Sequence, residues 1–128
     1  AGLGDGDFLV RARLKMDRQQ GSAAAFFLDD TTFGFEGARD TLFVNGPLFG
    51  GLRLLEPSTD VFERGAWIEF VAQRKAGVLA FSIDGREIAQ APSKGPVRSF
   101  GFDPMRSVMT VQHFEARGDV TMLRVERY

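Results

Sequence analysis

Two β-hairpins in tandem, over residues 66–89, constrain the fold of this chain more than any other feature. Apolar residues occupy every second position before a turn at 75–77 and again after it: Ile68, Phe70, Ala72, Leu79, Phe81 and Ile83. Such alternation on both sides of a glycine turn is typical of an antiparallel hairpin. Asp84-Gly85 then begins a second hairpin, because a type I′ turn needs positive φ at both central residues. Antiparallel strands therefore decide the fold class.

The rest of the chain continues this pattern. Further strands are predicted over 7–16, 23–28, 33–36, 41–45, 97–102, 106–116 and 120–126, with one helical turn within 59–64. Segment 23–28 is nearly all apolar, which predicts a central strand covered on both faces. Roughly ten to twelve short strands and no helical period predict an all-β antiparallel β-sandwich or barrel. We expect residues 1–128 to form one domain.

Composition excludes several classes of function. The net charge is −1, whereas nucleic-acid-binding proteins normally carry an excess of basic residues. No apolar run approaches the ~20 residues of a membrane span, and the absence of cysteine excludes disulfide scaffolds and thiolate metal sites. Thirteen phenylalanines predict a core filled by aromatic rings. Thirteen of the 16 basic residues are arginine, which reflects either a GC-rich genome or bidentate recognition of carboxylate or sulfate groups.

The last half of the chain resembles a known family of sandwiches. A tryptophan that opens a strand, an apolar strand pair, an Ile-Asp-Gly turn and a Gly-Phe strand are similar to the concanavalin A-like, laminin G-like jelly roll. The matching residues are Trp67, Ile68, Phe70, Leu79, Phe81, 83–85, 100–102 and 114–118. The resemblance implies a jelly roll of the concanavalin A-like lectin and glucanase type. It also implies sugar binding by a non-catalytic module, or glycan hydrolysis, on the concave sheet.

A narrower resemblance is to the sandwich domain that precedes the propeller in some bacterial exo-sialidases. Residues 33–37, 42–51 and 104–107 carry it. It implies a non-catalytic carbohydrate-binding or accessory module of a secreted bacterial glycoside hydrolase, located outside the cell or in the periplasm. The expected partners are a glycan, with acidic glycans among the candidates, and a catalytic domain of the same parent protein. Because the chain begins with Ala1, we expect a processed protein or an excised domain.

The sequence does not show the residue patterns that catalysis needs. Jelly-roll glucanases carry Glu-x-Asp-x-x-Glu on one strand, and this run does not occur. Asp29-Asp30 lies in a predicted turn, and Glu69 faces outward alone. The sequence contains no nucleophile elbow with which His113 could act, and it offers no further nitrogen or sulfur ligands for a zinc site with His113. We expect no catalytic residue, metal or cofactor.

One candidate ligand-binding zone surrounds a glycine-rich loop. Asn45 ends a strand before this loop, and Arg53 follows it. Sugar sites pair an aromatic face with planar polar groups, and we expect Phe49 to expose its ring beside two glycines that allow close approach of a ligand. The alternative is a covered loop anchored by Phe49. Trp67 is the other candidate ring, with packing over the edge of the core as its alternative role.

A second zone is cationic. Arg11, Arg13 and Lys15 alternate along one strand, which suits an acidic sugar if that face binds ligand and forms a solvated edge otherwise. Arg106 and His113 are further candidates on a later strand, with a structural role as the alternative for His113. On that strand, alternation places His113 on the same face as residues 109 and 111. A bulge is predicted to return Phe114 to the core.

Two other functions remain open. The chain is either a structural or protein-interaction domain with an exposed apolar patch, or a stand-alone glycan hydrolase. The patch would consist of Leu48-Phe49 with Val61-Phe62. The hydrolase would need two facing carboxylates about 5–10 Å apart.

Overall fold

The computed structural model describes residues 2–16, 24–36, 41–58, 61, 63, 65–104 and 109–118. Ten strands and a short 3₁₀ turn are formed by these residues, which contain no α-helix. The strands are β1 Phe8–Met16, β2 Ala24–Leu28, β3 Thr31–Glu36, β4 Thr41–Asn45, β5 Arg53–Pro57, β6 Trp67–Lys75, β7 Val78–Ile83, β8 Arg86–Pro92, β9 Phe100–Asp103 and β10 Met109–Arg117, and the 3₁₀ turn is Pro47–Phe49. The described residues form no helix that has the length and hydropathy of a membrane span.

The strands form two antiparallel sheets that pack face to face. The front sheet has the strand order β10-β1-β6-β7-β8, and the back sheet has the order β5-β4-β3-β2-β9. Every second side chain of a strand points into the space between the sheets, as the pleat requires. This arrangement confirms the prediction of an antiparallel β-sandwich.

Aromatic rings fill the space between the sheets, as the phenylalanine content predicts. The ring of Phe81 on the front sheet stacks on Phe33 of the back sheet, with 4.8 Å between centroids and 11° between planes. Phe26 and Phe70 meet across the same gap at 4.8 Å. All four side chains are buried. Burial of rings of this size dominates the energetics of a sandwich core.

Both predicted hairpin turns are present. Ala76 and Gly77 have φ of 51° and 78°, and Asp84 and Gly85 have φ of 51° and 82°. Positive φ at both central residues is the type I′ geometry. The second hairpin is also tied to β6, because Glu69 N–H donates to Asp84 Oδ1 at 2.9 Å and Asp84 N–H donates to the Glu69 carbonyl at 2.8 Å.

Several strand boundaries differ from the sequence prediction. The strand predicted over 97–102 begins only at Phe100, and Val97 instead forms an isolated bridge with Gly4. β2 is a central strand, as predicted, because it lies between β3 and β9. Its outer face is only partly covered, since Ala25 is buried and Phe27 is half-buried. The predicted strand 120–126 and most of the predicted helical turn in 59–64 lie outside the described residues.

The bulge on β10 lies one residue earlier than predicted. Phe114 pairs with Ala12 and faces the core, as expected. The register shift falls at Gln112, because His113 pairs with Arg13 while Val111 pairs with Leu14. His113 and Val111 therefore lie on opposite faces of the sheet, and the predicted grouping of these two residues is wrong. A strand bulge reverses parity in this way by adding one unpaired residue.

Candidate functional site

The outer face of the front sheet brings together residues from three neighbouring strands. Arg11, Arg13 and Lys15 lie on one face of β1, as their alternation predicts. Arg13 lies between His113 of β10 and Glu69 of β6, and Lys15 lies opposite Trp67 of β6. Directly opposed side chains in antiparallel sheets have Cβ atoms about 5 Å apart, so these residues are neighbours. We name Arg11, Arg13, Lys15, Trp67 and His113 the cationic face.

Two cations of this face lie over the indole ring of Trp67. The guanidinium carbon of Arg13 is 5.4 Å from the ring centroid, and Lys15 Nζ is 5.3 Å from it. Both distances are within the ~6 Å range of a cation–π contact. Trp67 and Lys15 are half-buried and Arg13 is exposed, so the ring contacts two cations of which Arg13 is the more open to solvent.

Two other arginines of the same sheet face are neutralised. Arg11 Nε lies 3.4 Å from Glu69 Oε1, and Arg117 Nε lies 2.6 Å from Glu115 Oε1. In the part of the chain that the structure describes, Arg13 and Lys15 form no ion pair. Among the residues of the cationic face, Arg13 and Lys15 therefore keep their positive charge, and we name them the cation pair. The exposed Lys75 lies on the same sheet face, at the other end of β6.

The loop zone predicted from the sequence belongs to the other sheet. Asn45 is exposed at the end of β4, and Arg53 is exposed at the start of β5. Asn45 and Arg53 lie on strands of the back sheet, and Arg53 pairs with Val44, whose side chain is buried between the sheets. Neither residue therefore shares the outer face of the front sheet with the cationic face. The structure separates the two zones and brings Arg11, Arg13, Trp67 and His113 together.

The expectation that Phe49 exposes its ring is wrong. Phe49 is 8% exposed, and its ring lies 6.4 Å from that of Phe81. The 3₁₀ turn that begins at Pro47 directs this side chain into the core, where it anchors the loop. The apolar patch predicted from Leu48-Phe49 and Val61-Phe62 is not formed as expected, because Val61 also packs against the core. Phe62 and the candidate Arg106 lie outside the described residues.

Sequence reasoning missed the role of Glu69. The sequence predicts that Glu69 faces outward alone, yet its side chain binds Arg11 and the residue is the cross-strand neighbour of Arg13. The register between β1 and β6 decides this contact, and no local pattern reports that register. No group of three or more His, Cys, Asp or Glu residues in the described ranges is placed to hold a metal ion.

Comparison with known proteins supports the fold. No family model and no curated protein sequence matches this chain. Among solved structures, the carbohydrate-binding module CBM66 from Bacillus subtilis superposes with a TM-score of 0.64 at 10% identity, covering 88% of this chain and 76% of that module. Sheep galectin-11 in complex with glycerol gives 0.68 at 11% identity, covering 91% and 95%.

An enzyme is also among the structural neighbours. The alginate lyase from Corynebacterium sp. gives a TM-score of 0.60 at 10% identity, and the match covers 91% of this chain but only 60% of the lyase. All these neighbours are jelly-roll sandwiches, so the chain has the predicted jelly-roll fold, the lectin-like fold of carbohydrate-binding modules and galectins. At such low identity the likeness extends to the fold and not to the residues of a site.

Proposed function

We propose that this chain is a non-catalytic carbohydrate-binding module that holds an acidic glycan on the outer face of the front sheet. The observation that carries the proposal is the cation pair, two cations fixed side by side on one sheet face without a carboxylate partner among the described residues. Arginine offers a planar fork of donors that fits carboxylate and sulfate groups. Two of the structural neighbours are named as a carbohydrate-binding module and a galectin.

The cellular context is also part of the proposal. We propose an accessory module of a secreted bacterial glycoside hydrolase, acting outside the cytoplasm beside a catalytic domain of the same parent protein. A sialidase is the parent that the sequence resemblance favours. A module of this kind concentrates the enzyme on its polymer and needs no catalytic group. The carboxylates that flank the cationic face on β6 and β10 fit this role, since Glu69 and Glu115 are each bound to an arginine.

Calorimetric titration with oligosaccharides tests the proposal. We expect an alginate hexasaccharide, whose units carry carboxylates, and a sulfated galactan hexasaccharide to bind with Kd of about 10 μM to 1 mM, because a shallow site buries little area. Neutral maltohexaose is expected to bind more weakly. The double variant Arg13→Gln/Lys15→Gln should lose the acidic ligands. The matched control is Asn45→Ala/Arg53→Gln on the back sheet, which should bind like the wild type.

Two results would contradict the proposal. One is a wild type that binds none of these glycans at millimolar concentration. The other is loss of binding in the back-sheet control with retention in the front-sheet variant, which would move the site to the opposite face.

A second candidate function is a protein-interaction domain. Leu52 and Leu54, which flank the first residue of the edge strand β5, are 57% and 46% exposed, and Leu54 lies opposite Phe43. Exposed apolar residues on an edge strand are typical of contact surfaces. A well-folded wild type that binds no glycan would favour this function, and the variant Leu52→Ser/Leu54→Ser would then be expected to lose contact with the rest of the parent protein.

A further inference from the structure

We infer that Trp67 is a positioning residue, whose ring holds Arg13 and Lys15 in place to bind a carboxylate or sulfate group and does not stack against a sugar. This inference rests on the proposed glycan-binding function of the same face. It names the chemistry of that site: anion recognition by two prepositioned cations.

The ring of Trp67 is already in contact with two cations. Both cationic groups lie over the indole, at 5.4 Å and 5.3 Å from its centroid. A sugar that stacked on a ring face covered by a cation would have to displace that cation, because both need the same face. The sheet register enforces this arrangement, because Lys15 is paired with Trp67 and Arg13 is its diagonal neighbour.

An aromatic ring leaves the charge of a cation available. A carboxylate partner offsets the charge of an arginine, as Glu69 does for Arg11 on the same face. The indole ring attracts a cation through its quadrupole and accepts no in-plane hydrogen bond from the guanidinium edge. Arg13 and Lys15 are therefore ordered and still able to bind an anion.

The ring also lowers the entropic cost of binding an anion. Arg and Lys are the side chains that lose most rotamer freedom when a ligand fixes them. Contact with a half-buried ring removes part of that freedom before the ligand arrives. Loss of the ring should therefore weaken anion binding even though the ring touches no ligand atom.

A pair of variants separates the ring's π-face from its apolar volume. A phenylalanine in place of Trp67 keeps a π-face, whereas a leucine does not, so titrations use Trp67→Phe and Trp67→Leu with alginate hexasaccharide. We expect Trp67→Phe to bind within about threefold of the wild type and Trp67→Leu to bind about tenfold more weakly. Circular dichroism checks that both variants are folded. Equal affinity of Trp67→Leu and the wild type would overturn the inference.

A double-mutant cycle tests whether the ring acts through the cations. Trp67→Leu should weaken the Lys15→Gln protein by a smaller factor than it weakens the wild type, because one of the two groups that the ring positions is already gone. An equal factor in both backgrounds would mean that the ring does not act through Lys15, and this result would overturn the inference that it positions both cations.

The fluorescence of Trp67 separates failure of the inference from failure of the proposed function, since Trp67 is the single tryptophan of the chain. Sodium sulfate, compared with sodium chloride at equal ionic strength, should change the emission of the wild type saturably and leave that of Arg13→Gln/Lys15→Gln unchanged. A wild type that binds no glycan but shows this response overturns the glycan function and supports the cation pair as an anion site. Absence of any saturable response, to sulfate or to alginate, overturns the inference.

Discussion

Three arginines of the front sheet show how one side chain serves different purposes in different surroundings. Arg74 is buried among carbonyls, and it donates to Gly6 O at 2.9 Å and to Gly4 O and Ser93 Oγ at 3.2 Å. Its planar fork fixes the segment before β1 to the end of the sandwich. Arg11 is neutralised by Glu69, and Arg13 keeps its charge over Trp67. Only the last of these environments suits recognition of an anion.

At the residue scale, Glu69 is predicted to limit the affinity for anions. Its carboxylate holds Arg11 and lies beside Arg13, and the two groups are about half exposed, with side chains 42% and 57% accessible for Arg11 and Glu69. Removing this negative charge with Glu69→Gln should free Arg11 and strengthen binding of alginate hexasaccharide by about threefold, the size expected for one exposed charge pair. Isothermal titration measures the change.

The control for this variant is Glu56→Gln. Glu56 also binds an arginine, Arg86, at 2.6 Å, but it lies on β5 of the back sheet. Its replacement removes one negative charge from the protein without changing the cationic face. Equal gains in the two variants would show that net charge, and not the local contact with Arg11, controls the affinity.

At the element scale, the turn that joins β6 to β7 contains a strained residue. Ala76 has φ of 51°, a left-handed conformation that costs most L-residues about 1–2 kcal/mol, whereas asparagine tolerates it. We expect Ala76→Asn to stabilise the protein by about 0.5–1 kcal/mol and to raise Tm by about 2–4 °C. Thermal unfolding followed by circular dichroism measures this shift. Ala66→Asn, at an exposed position outside the left-handed region, should give no gain.

The burial of the strands explains why some of them can be predicted from sequence and others cannot. β1, β6 and β7 each have one buried and one solvated face, so their residues alternate and their bounds are visible. β5 is an edge strand without a buried row, and β9 is only four residues long, so neither has a clear pattern. The site divides in the same way. Alternation places Arg11, Arg13 and Lys15 on one face, but their contact with β6 depends on pairing across more than fifty residues of chain.

At the scale of the whole molecule, the sandwich presents two outer faces of different chemistry. The front face carries the cation pair on Trp67, and the back face carries exposed apolar residues beside Asn45. The whole chain has a net charge of −1, so the surface beyond the cation pair is negative on balance. Attraction of an acidic glycan is therefore local, and a long polyanion meets repulsion from the rest of the protein.

This charge distribution predicts how affinity depends on glycan length. Arg11 and Lys15 are separated by about 13 Å along β1. Alginate oligosaccharides longer than this span should gain no affinity beyond the statistical factor that comes from a larger number of possible binding positions. Added sodium chloride should weaken binding at every length, because exposed charges are screened within about 8–10 Å at physiological ionic strength. Titrations of a length series at two salt concentrations measure both effects. Affinity that keeps rising with each added uronate unit would place further cationic contacts along the path of the glycan, and a module with one local anion site would then be the wrong description.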